Sequence, residues 1–233
     1  MKRLDKTKEY WNQNIANWGK FYSDSSHSEE SFDALGVLGT LYHWLITPIE
    51  AKLMKKRYQL TMNFIECYVK KEMVVVDVGC GTGIFTIELL KRGAHVKAVD
   101  FAQSSLDLTK AQVEELVPNY SENVEYLLID VTKQQLPESD LVIAMGVTPY
   151  VNNLEDFYRN ILPTTTIFYC LIMDPKNWIN RVRRIMPFLN IRKIHWFEKA
   201  FVDDILRRYD WKLVDREDFA SGYLDIAIKT QLD

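Results

Sequence analysis

The sequence predicts an α/β fold, a mostly parallel sheet with helices on both of its faces. From Met73 onward, short apolar segments rich in β-branched residues alternate with amphipathic segments of helical period. The first of these, 74–78, leads directly into a glycine-rich loop. Such alternation predicts consecutive βα units, which build parallel sheets. The last two predicted strands are separated by a short turn around Ser221 and Gly222, which permits only an antiparallel pair.

The predicted elements divide the chain into a helical part and an alternating part. The strands are 73–78, 95–99, 124–129, 140–145, 165–173, 211–217 and 223–229, and the helices between them are 84–92, 102–117, 153–161 and 198–209. The aromatic-rich sequence before them predicts helices over 5–22, 32–46 and 48–70. Proline is favoured in the first turn of a helix, so Pro48 is interpreted as the start of the third helix.

The segment lengths predict one ligand-binding domain with two additions. Residues 1–72 are expected to form an N-terminal helical cap or lid, and 73–233 the domain itself. Residues 174–197, between the fifth strand and the last helix, are rich in aromatic and aliphatic side chains. We expect this insertion to cover the carboxyl ends of the strands, where ligands bind in open α/β sheets.

Composition narrows the function classes. Of the 233 residues 26% are charged, and with a net charge of -3 the surface as a whole gives no electrostatic footprint for nucleic acid. The three scattered cysteines indicate reduced thiols in a cytoplasmic protein. We expect no signal peptide and no transmembrane segment, because the longest apolar stretch, 34–49, is short and interrupted. No group of His, Cys, Asp and Glu has metal-ligand spacing, so no metal is expected.

The loop after the first strand is the most specific sign of a ligand. Gly79, Gly81 and Gly83 follow Asp77 at alternate positions and offer bare backbone to a bound molecule. The next predicted strand is followed directly by Asp100, an acid suited to the two hydroxyls of a ribose. The segment therefore predicts a site for a small ligand that is partly anionic or a nucleoside.

The order of the glycines argues against a dinucleotide. Dinucleotide-binding loops have the order G-x-G-x-x-G and hold a pyrophosphate. Here Ile84 occupies the place of the third glycine, and Asp77 adds negative charge where a pyrophosphate would lie. A phosphate-binding G-x-x-x-x-G-K-[ST] loop does not occur. The pattern suits a ligand that has an amino group and no phosphate, such as S-adenosylmethionine (SAM).

On these motifs the chain resembles the class I SAM-dependent methyltransferases. That family carries E/D-x-G-x-G-x-G after the first strand and an acid at the end of the second, and the resemblance covers 73–230. It implies a Rossmann-like sheet of seven strands, mostly parallel, whose last strand inserts antiparallel. It also implies SAM as cofactor and transfer of a methyl group to an O or N atom of a small-molecule metabolite.

The resemblance further implies which residues contact SAM. The glycine loop would approach the methionine moiety, with Asp77 attracting its ammonium group, and Met145 would lie near the sulfonium. Phe101 would cover the adenine, whereas Asp130 and the backbone of Val131 would hydrogen-bond to it. For Asp130 the alternative is an acid that closes a turn. The implied contacts in the domain are Asp77, Gly79, Cys80, Gly81, Gly83, Asp100, Phe101, Asp130, Val131 and Met145.

Tyr10 and Trp18 extend this implied site to the N-terminus. Their segment looks like the tyrosine-containing lid helix that precedes many small-molecule methyltransferase domains. In that interpretation they close over SAM and exclude water. In the alternative interpretation they only pack the helix on the sheet.

Tyr150 and His195 are the candidate catalytic residues on the acceptor side. Tyr150 follows the fourth strand, and His195 lies in the insertion, where an imidazole would serve as a base near neutral pH. A packed or surface role is the alternative for the histidine. A base is needed only for a hydroxyl or a protonated amine, and a carboxylate acceptor needs none.

The acceptor and the activity leave alternatives open. Amino-methylating nucleic-acid enzymes carry [DNS]-P-P-[YF] after the fourth strand, but 147–150 reads Val-Thr-Pro-Tyr, which disfavours nucleic acid. Protein methylation and a non-catalytic SAM-binding module are further alternatives, and a nicotinamide oxidoreductase is disfavoured by the glycine order. The insertion is interpreted as a solvated helix face, a surface for an anionic, partly apolar acceptor, or a membrane-docking surface. Its basic residues are Lys176, Arg181, Arg183, Arg184, Arg192 and Lys193.

Overall fold

One sheet organises the described part of the chain. The structure is a computed structural model, and it describes residues 37–177, 180–181, 194–219 and 222–230. The elements in chain order are α1 Val37–Tyr68, β1 Val74–Val78, α2 Ile84–Lys91, β2 His95–Asp100, α3 Gln103–Leu116, β3 Val124–Leu128, β4 Leu141–Ala144, α4 Leu154–Ile161, β5 Ile167–Met173, α5 Lys199–Arg208, β6 Trp211–Phe219 and β7 Gly222–Lys229. Short 3-10 helices occupy Pro118–Asn123, Thr148–Tyr150 and Leu162–Thr164.

The strand order across the sheet is β3-β2-β1-β4-β5-β7-β6. β1 lies between β2 and β4 and is parallel to both, and the parallel pairing continues outward to β3 and β5. β7 lies antiparallel between β5 and β6. The order reverses at β1, which makes its carboxyl end the expected ligand site of an open α/β sheet. The predicted mostly parallel sheet with an antiparallel last strand is confirmed.

Two apolar layers cover the sheet, because successive side chains of a strand point to opposite faces. Val76 and Val78 of β1 pack in the layer that contains α4 and α5. Val75 points to the opposite face and packs in the layer that contains the end of α1 with α2 and α3. A strand buried on both faces must be largely apolar, which explains the valine run of β1.

The predicted helix boundary at Pro48 is wrong. α1 runs without a break from Val37 to Tyr68. A proline inside a helix removes one backbone donor, but its fixed φ is compatible with helical backbone, and the helix continues on either side. The predicted helix over 5–22 lies outside the described residues.

The carboxyl-terminal part of α1 belongs to the core. Phe64 and Ile65 are buried against the sheet. The ring of Phe64 stacks on that of Tyr169 in β5, with 4.0 Å between their centroids. No helix within the described ranges combines the length and apolar character that a membrane span requires.

Candidate functional site

The glycine loop between β1 and α2 adopts a backbone that favours glycine at all three positions. Gly79, Gly81 and Gly83 have positive φ of 71°, 58° and 78°. The Gly79 N–H donates to the carbonyl of Val99 at the end of β2, at 2.7 Å. The Cys80 N–H donates to the same carbonyl at 3.1 Å. The loop is therefore fixed against β2.

Close packing reinforces this requirement for glycine. A Cβ at Gly79 would lie 2.4 Å from Cγ2 of Val147, and a Cβ at Gly83 would lie 2.9 Å from Cγ2 of Thr109. The Thr109 hydroxyl also donates to the carbonyl of Gly81 at 3.1 Å. Side chains of α3 and of the β4 exit thus pack against the backbone of the glycine loop.

Asp100 joins the loop to the start of α3. Its Oδ2 accepts from the Gly81 N–H at 3.3 Å, and its Oδ1 accepts from the Ala102 N–H at 2.9 Å. Only 6% of the residue is exposed. Burial raises the pKa of Asp100 to about 6, against the opposing effect of these hydrogen bonds. The predicted ribose-binding acid thus lies beside the predicted glycine loop.

Asp77 is the second buried acid of this region. Its Oδ2 accepts a hydrogen bond of 2.7 Å from the hydroxyl of Thr86 on α2. Burial raises the pKa of Asp77 to about 6, with the Thr86 hydrogen bond opposing and the charge of Asp100 adding to this effect. The contact with an ammonium group remains a prediction. The two acids favour a cationic ligand and disfavour a pyrophosphate, because like charges repel in a buried site.

The side chain of Cys80 is a buried thiol and not a reactive thiolate. Its side chain is buried, and its sulfur accepts a hydrogen bond of 3.4 Å from the hydroxyl of Thr109. Burial raises the pKa of the Cys80 thiol well above its usual range, so the thiol stays protonated at neutral pH.

The predicted adenine contacts follow β2 and β3. Phe101 is half-buried directly after Asp100. Asp130 accepts from the hydroxyl of Thr132 at 2.6 Å and from the ammonium of Lys133 at 2.5 Å. Burial raises the pKa of Asp130, but the hydrogen bonds from Lys133 and Thr132 outweigh it and lower the pKa overall. This geometry agrees with a turn-closing acid, and the adenine contact remains a prediction.

Val131 and Met145 are both buried. The carbonyl of Val131 accepts from the side-chain amide of Asn160 at 2.8 Å. Met145 follows β4 and packs in the layer on the α1 side of the sheet. Both positions lie at strand exits, as predicted, and their contacts with SAM remain predictions.

Thr148, at the place of the first proline of the nucleic-acid motif, lies at the exit of β4. The hydroxyl of Thr148 is buried and donates to the carbonyl of Leu171 in β5 at 2.5 Å. Tyr150 ends the following 3-10 turn and is half-buried. Thr148 thus fastens the turn to β5, and Tyr150 is the residue of the turn that keeps some exposure.

The end of the insertion brings His195 beside this turn. The N–H of His195 donates to the carbonyl of Pro149 at 2.7 Å, and the N–H of Phe197 donates to the carbonyl of Met173 at 2.9 Å. Residues 194–198 therefore lie across the exits of β4 and β5. The structure brings together the backbones of Tyr150 and His195, the two predicted catalytic residues.

Part of the predicted site lies outside the described residues. Tyr10 and Trp18 belong to this part, as do the basic residues at 183, 184, 192 and 193 of the insertion. Lys176 forms an ion pair of 3.0 Å with Glu198, which agrees with a solvated surface role. Across the described ranges, no group of three acids, histidines or cysteines is arranged to hold a metal ion.

Arg57 on α1 is a further residue at this edge of the sheet, and the motifs alone do not predict it. Its Nη1 would lie 3.1 Å from a Cβ at Gly146, directly beyond Met145 at the exit of β4. The available signal is helical periodicity, because Arg57 precedes Thr61 by four residues and Phe64 by seven, and both are buried. An arginine on the buried face of a helix indicates either a structural ion pair or a binding site.

Comparison with known proteins identifies a methyltransferase domain in the chain. Residues 75–165 match the family described as a methyltransferase domain. A magnesium-protoporphyrin O-methyltransferase of Rhodobacter capsulatus is 39% identical over 76 residues, 33% of this chain and 33% of that protein. A ribosomal protein L11 methyltransferase of Thermotoga neapolitana is 39% identical over 161 residues, 68% of this chain and 51% of that protein. The chain thus spans about a third to a half of these relatives.

A solved structure extends the likeness in fold. The crystal structure of magnesium protoporphyrin IX methyltransferase from Synechocystis PCC 6803, with bound S-adenosylhomocysteine (SAH), has a TM-score of 0.76. The match covers 97% of this chain and 100% of that one, at 14% sequence identity. At this identity the likeness concerns the fold.

Proposed function

We propose that the chain transfers a methyl group from SAM to an O or N atom of a small molecule, because residues 75–165 match a methyltransferase domain. The observation that carries this proposal is the glycine loop at the carboxyl end of β1, with Asp100 bonded to the N–H of Gly81. The residues present fit SAM, because a cradle that excludes Cβ atoms lies beside two buried acids.

Bound SAM supplies a methyl group on a sulfonium that is already a good leaving group, so alignment and exclusion of water are the main tasks of the protein. The loop at Gly79, Gly81 and Gly83 holds the methionine moiety, and Asp100 accepts from the ribose hydroxyls. Asp77 contributes negative charge for the ammonium group. Phe101, Asp130 and Val131 hold the adenine, with Cys80 and Met145 contributing backbone beside the glycines.

Tyr150 and His195 face the acceptor in this proposal. Their turn and segment meet at the exits of β4 and β5, where residues 194–198 cover the sheet edge. His195 removes a proton where the acceptor is a hydroxyl or an ammonium, and it is dispensable for a carboxylate. Tyr10 and Trp18 lie outside the described residues, and their closing over SAM stays an expectation beside the alternative of packing on the sheet.

The acceptor is a small molecule rather than nucleic acid in this proposal. The net charge of -3 gives no overall electrostatic sign of a protein that binds nucleic-acid phosphates. The names of the Rhodobacter capsulatus and Synechocystis relatives give a porphyrin as their acceptor, which makes an anionic, partly apolar molecule the first class to test. The Thermotoga neapolitana relative is named for a ribosomal protein, so protein methylation is the second candidate.

The test is transfer of tritium from methyl-labelled SAM. The wild-type protein is incubated with fractionated small molecules, proteins and RNA from a cell extract, with Asp100→Ala as the control for the cofactor site. We expect label in the small-molecule fraction and a strongly reduced amount with the variant. Label confined to protein or RNA, or label unaffected by Asp100→Ala, would contradict the proposal.

A further inference from the structure

A cationic side chain lies at the strand exit next to the glycine loop, and the proposed function gives it no role. We propose that Arg57, together with Tyr150, binds a carboxylate at the exit of β4. This inference rests on the methyltransferase function and deepens it. The carboxylate belongs either to the methionine moiety of SAM or to the methyl acceptor, and the experiment below separates these two sources.

The helix α1 places Arg57 at the edge of the sheet. The carbonyl of Arg57 accepts from the hydroxyl of Thr61 at 2.9 Å, one turn further along. Another turn on, Phe64 contacts Tyr169 within β5. The same helix face therefore runs from the interior of the sheet up to Gly146, just beyond the end of β4. The Nε atom of Arg57 is shielded from solvent there.

Gly146 makes room for the guanidinium. Its φ of 87° lies in the left-handed region, and a Cβ would lie 3.1 Å from Nη1 of Arg57. The next residue, Val147, packs directly on Gly79 of the cofactor loop. Adjacent Cα atoms are about 3.8 Å apart. The guanidinium and the glycine loop therefore lie on either side of one short backbone segment.

The charges around this segment complement a carboxylate. Burial lowers the pKa of Arg57 to about 10, and the phenols of Tyr150 and Tyr169 act on it in the opposite direction. Arg57 thus remains positively charged at neutral pH. The same loop is bonded to the buried acid Asp100 through the N–H of Gly81, and the buried acid Asp77 precedes Gly79 by two residues. Acids and a guanidinium around one loop match a ligand that carries both an ammonium and a carboxylate.

The shape of the Arg57 guanidinium favours a carboxylate as the ligand. A guanidinium presents two parallel N–H donors that match the two oxygens of a carboxylate. Tyr150 ends the 3-10 turn that follows Gly146 and Val147, and its phenol provides one more donor at this strand exit. A lysine at this position would keep the charge but lose the paired donors.

The test measures ligand affinity by calorimetry and needs no turnover. Wild type, Arg57→Met and Arg57→Lys are titrated with SAH and with S-adenosyl-3-thiopropylamine, which lacks only the carboxylate. The SAH-saturated proteins are then titrated with benzoate and with its neutral analogue benzamide. Lys56→Met is the matched control, because Lys56 is the neighbouring cation on α1 and forms an exposed ion pair with Glu217.

Two results support the inference. If SAM supplies the carboxylate, Arg57→Met weakens SAH binding about 10- to 100-fold, as expected for charge-assisted hydrogen bonds, and leaves the decarboxylated analogue unchanged. If the acceptor supplies it, SAH binding is unchanged, and the preference for benzoate over benzamide disappears in the variant. In both cases Arg57→Lys restores only part of the lost affinity, and Lys56→Met behaves like wild type.

Other results overturn it. Equal weakening of SAH and its decarboxylated analogue would mean that Arg57 only supports the fold. Affinities that match those of Lys56→Met for every ligand would mean that it binds no carboxylate. If Arg57→Met does not fold, the wild-type protein alone decides the question. Wild type that binds SAH as tightly as its decarboxylated analogue, and benzoate as tightly as benzamide, would also mean that Arg57 binds no carboxylate. Wild-type protein that does not bind SAH would instead contradict the proposed function itself.

Discussion

Replacing Asp77 by asparagine should change the stability of the protein and its affinity for SAM in opposite directions. Asp77 is 2% exposed and accepts hydrogen bonds from the hydroxyl and the backbone of Thr86. Its pKa is raised from 3.8 to about 6, chiefly by burial. A difference of about two pKa units corresponds to roughly 3 kcal/mol at neutral pH. Asparagine keeps an acceptor for the Thr86 hydroxyl and removes the buried charge, so Asp77→Asn should stabilise the ligand-free protein by up to about this amount.

The sign of the pH dependence follows from the same shift. Between pH 3.8 and about 6 the Asp77 carboxyl binds more protons in the folded protein than in the unfolded chain, because its folded pKa is the higher one. The contribution of Asp77 to the free energy of unfolding therefore falls as the pH rises through this range. Asp77→Asn should lack this contribution. SAM binding should show the opposite trend and weaken below about pH 6, as Asp77 and Asp100 become protonated.

Urea unfolding at about pH 4.5 and about pH 7.5 and calorimetry with SAM measure both effects. Asp107→Asn is the matched control, because it removes one exposed carboxylate from α3. We expect Asp77→Asn to be more stable than this control at the higher pH and to bind SAM more weakly. A variant that is less stable than the control at that pH would refute the assignment of Asp77 as a buried charge that costs stability.

Three further predictions concern the loop, the ribose site and the hairpin. Asp100→Ala should weaken SAM binding by roughly 1–3 kcal/mol through loss of charge-assisted hydrogen bonds, and unchanged calorimetric affinity would contradict the ribose assignment. Gly79→Ala should weaken SAM binding, because its Cβ meets Val147, whereas Gly93→Ala, with a similar φ but only a flexible lysine nearby, should lower stability alone. Equal SAM affinities of Gly79→Ala and Gly93→Ala would contradict the role of Gly79 in the cofactor site. Arg216→Met should lower the free energy of unfolding by about 3–5 kcal/mol, since it leaves the carboxylate of Asp225, 3% exposed, without its two 2.7 Å hydrogen bonds. The exposed Arg207→Met is its control in urea unfolding.

The conformation of the glycine loop was predictable from sequence because its requirements are local. Positive φ favours glycine at 79, 81 and 83, and a strand buried on both faces requires apolar residues such as valine. Both requirements can therefore be recognised directly in the sequence. Asp100 was predictable for the same reason, since it ends the strand beside β1. The antiparallel insertion of β7 between β5 and β6 came from the family resemblance, because strand order depends on contacts between distant segments.

Other features depend on tertiary packing and escaped prediction. The continuity of α1 through Pro48 depends on the whole helix and not on its local propensity. The position of Arg57 beside Gly146 depends on packing between two segments that are distant along the chain, and no spacing rule connects the two residues. The adjacency of His195 and Pro149 likewise comes from a backbone hydrogen bond between separate segments. Residues were thus predictable where one segment sets their role and unpredictable where two segments share it.

A crystal structure of the protein with SAH is the most direct test of the central claim. We expect the nucleoside to lie against Gly79, Gly81 and Gly83, with its ribose hydroxyls on the carboxylate of Asp100. SAH bound at any other surface, with this loop free of ligand, would contradict the account.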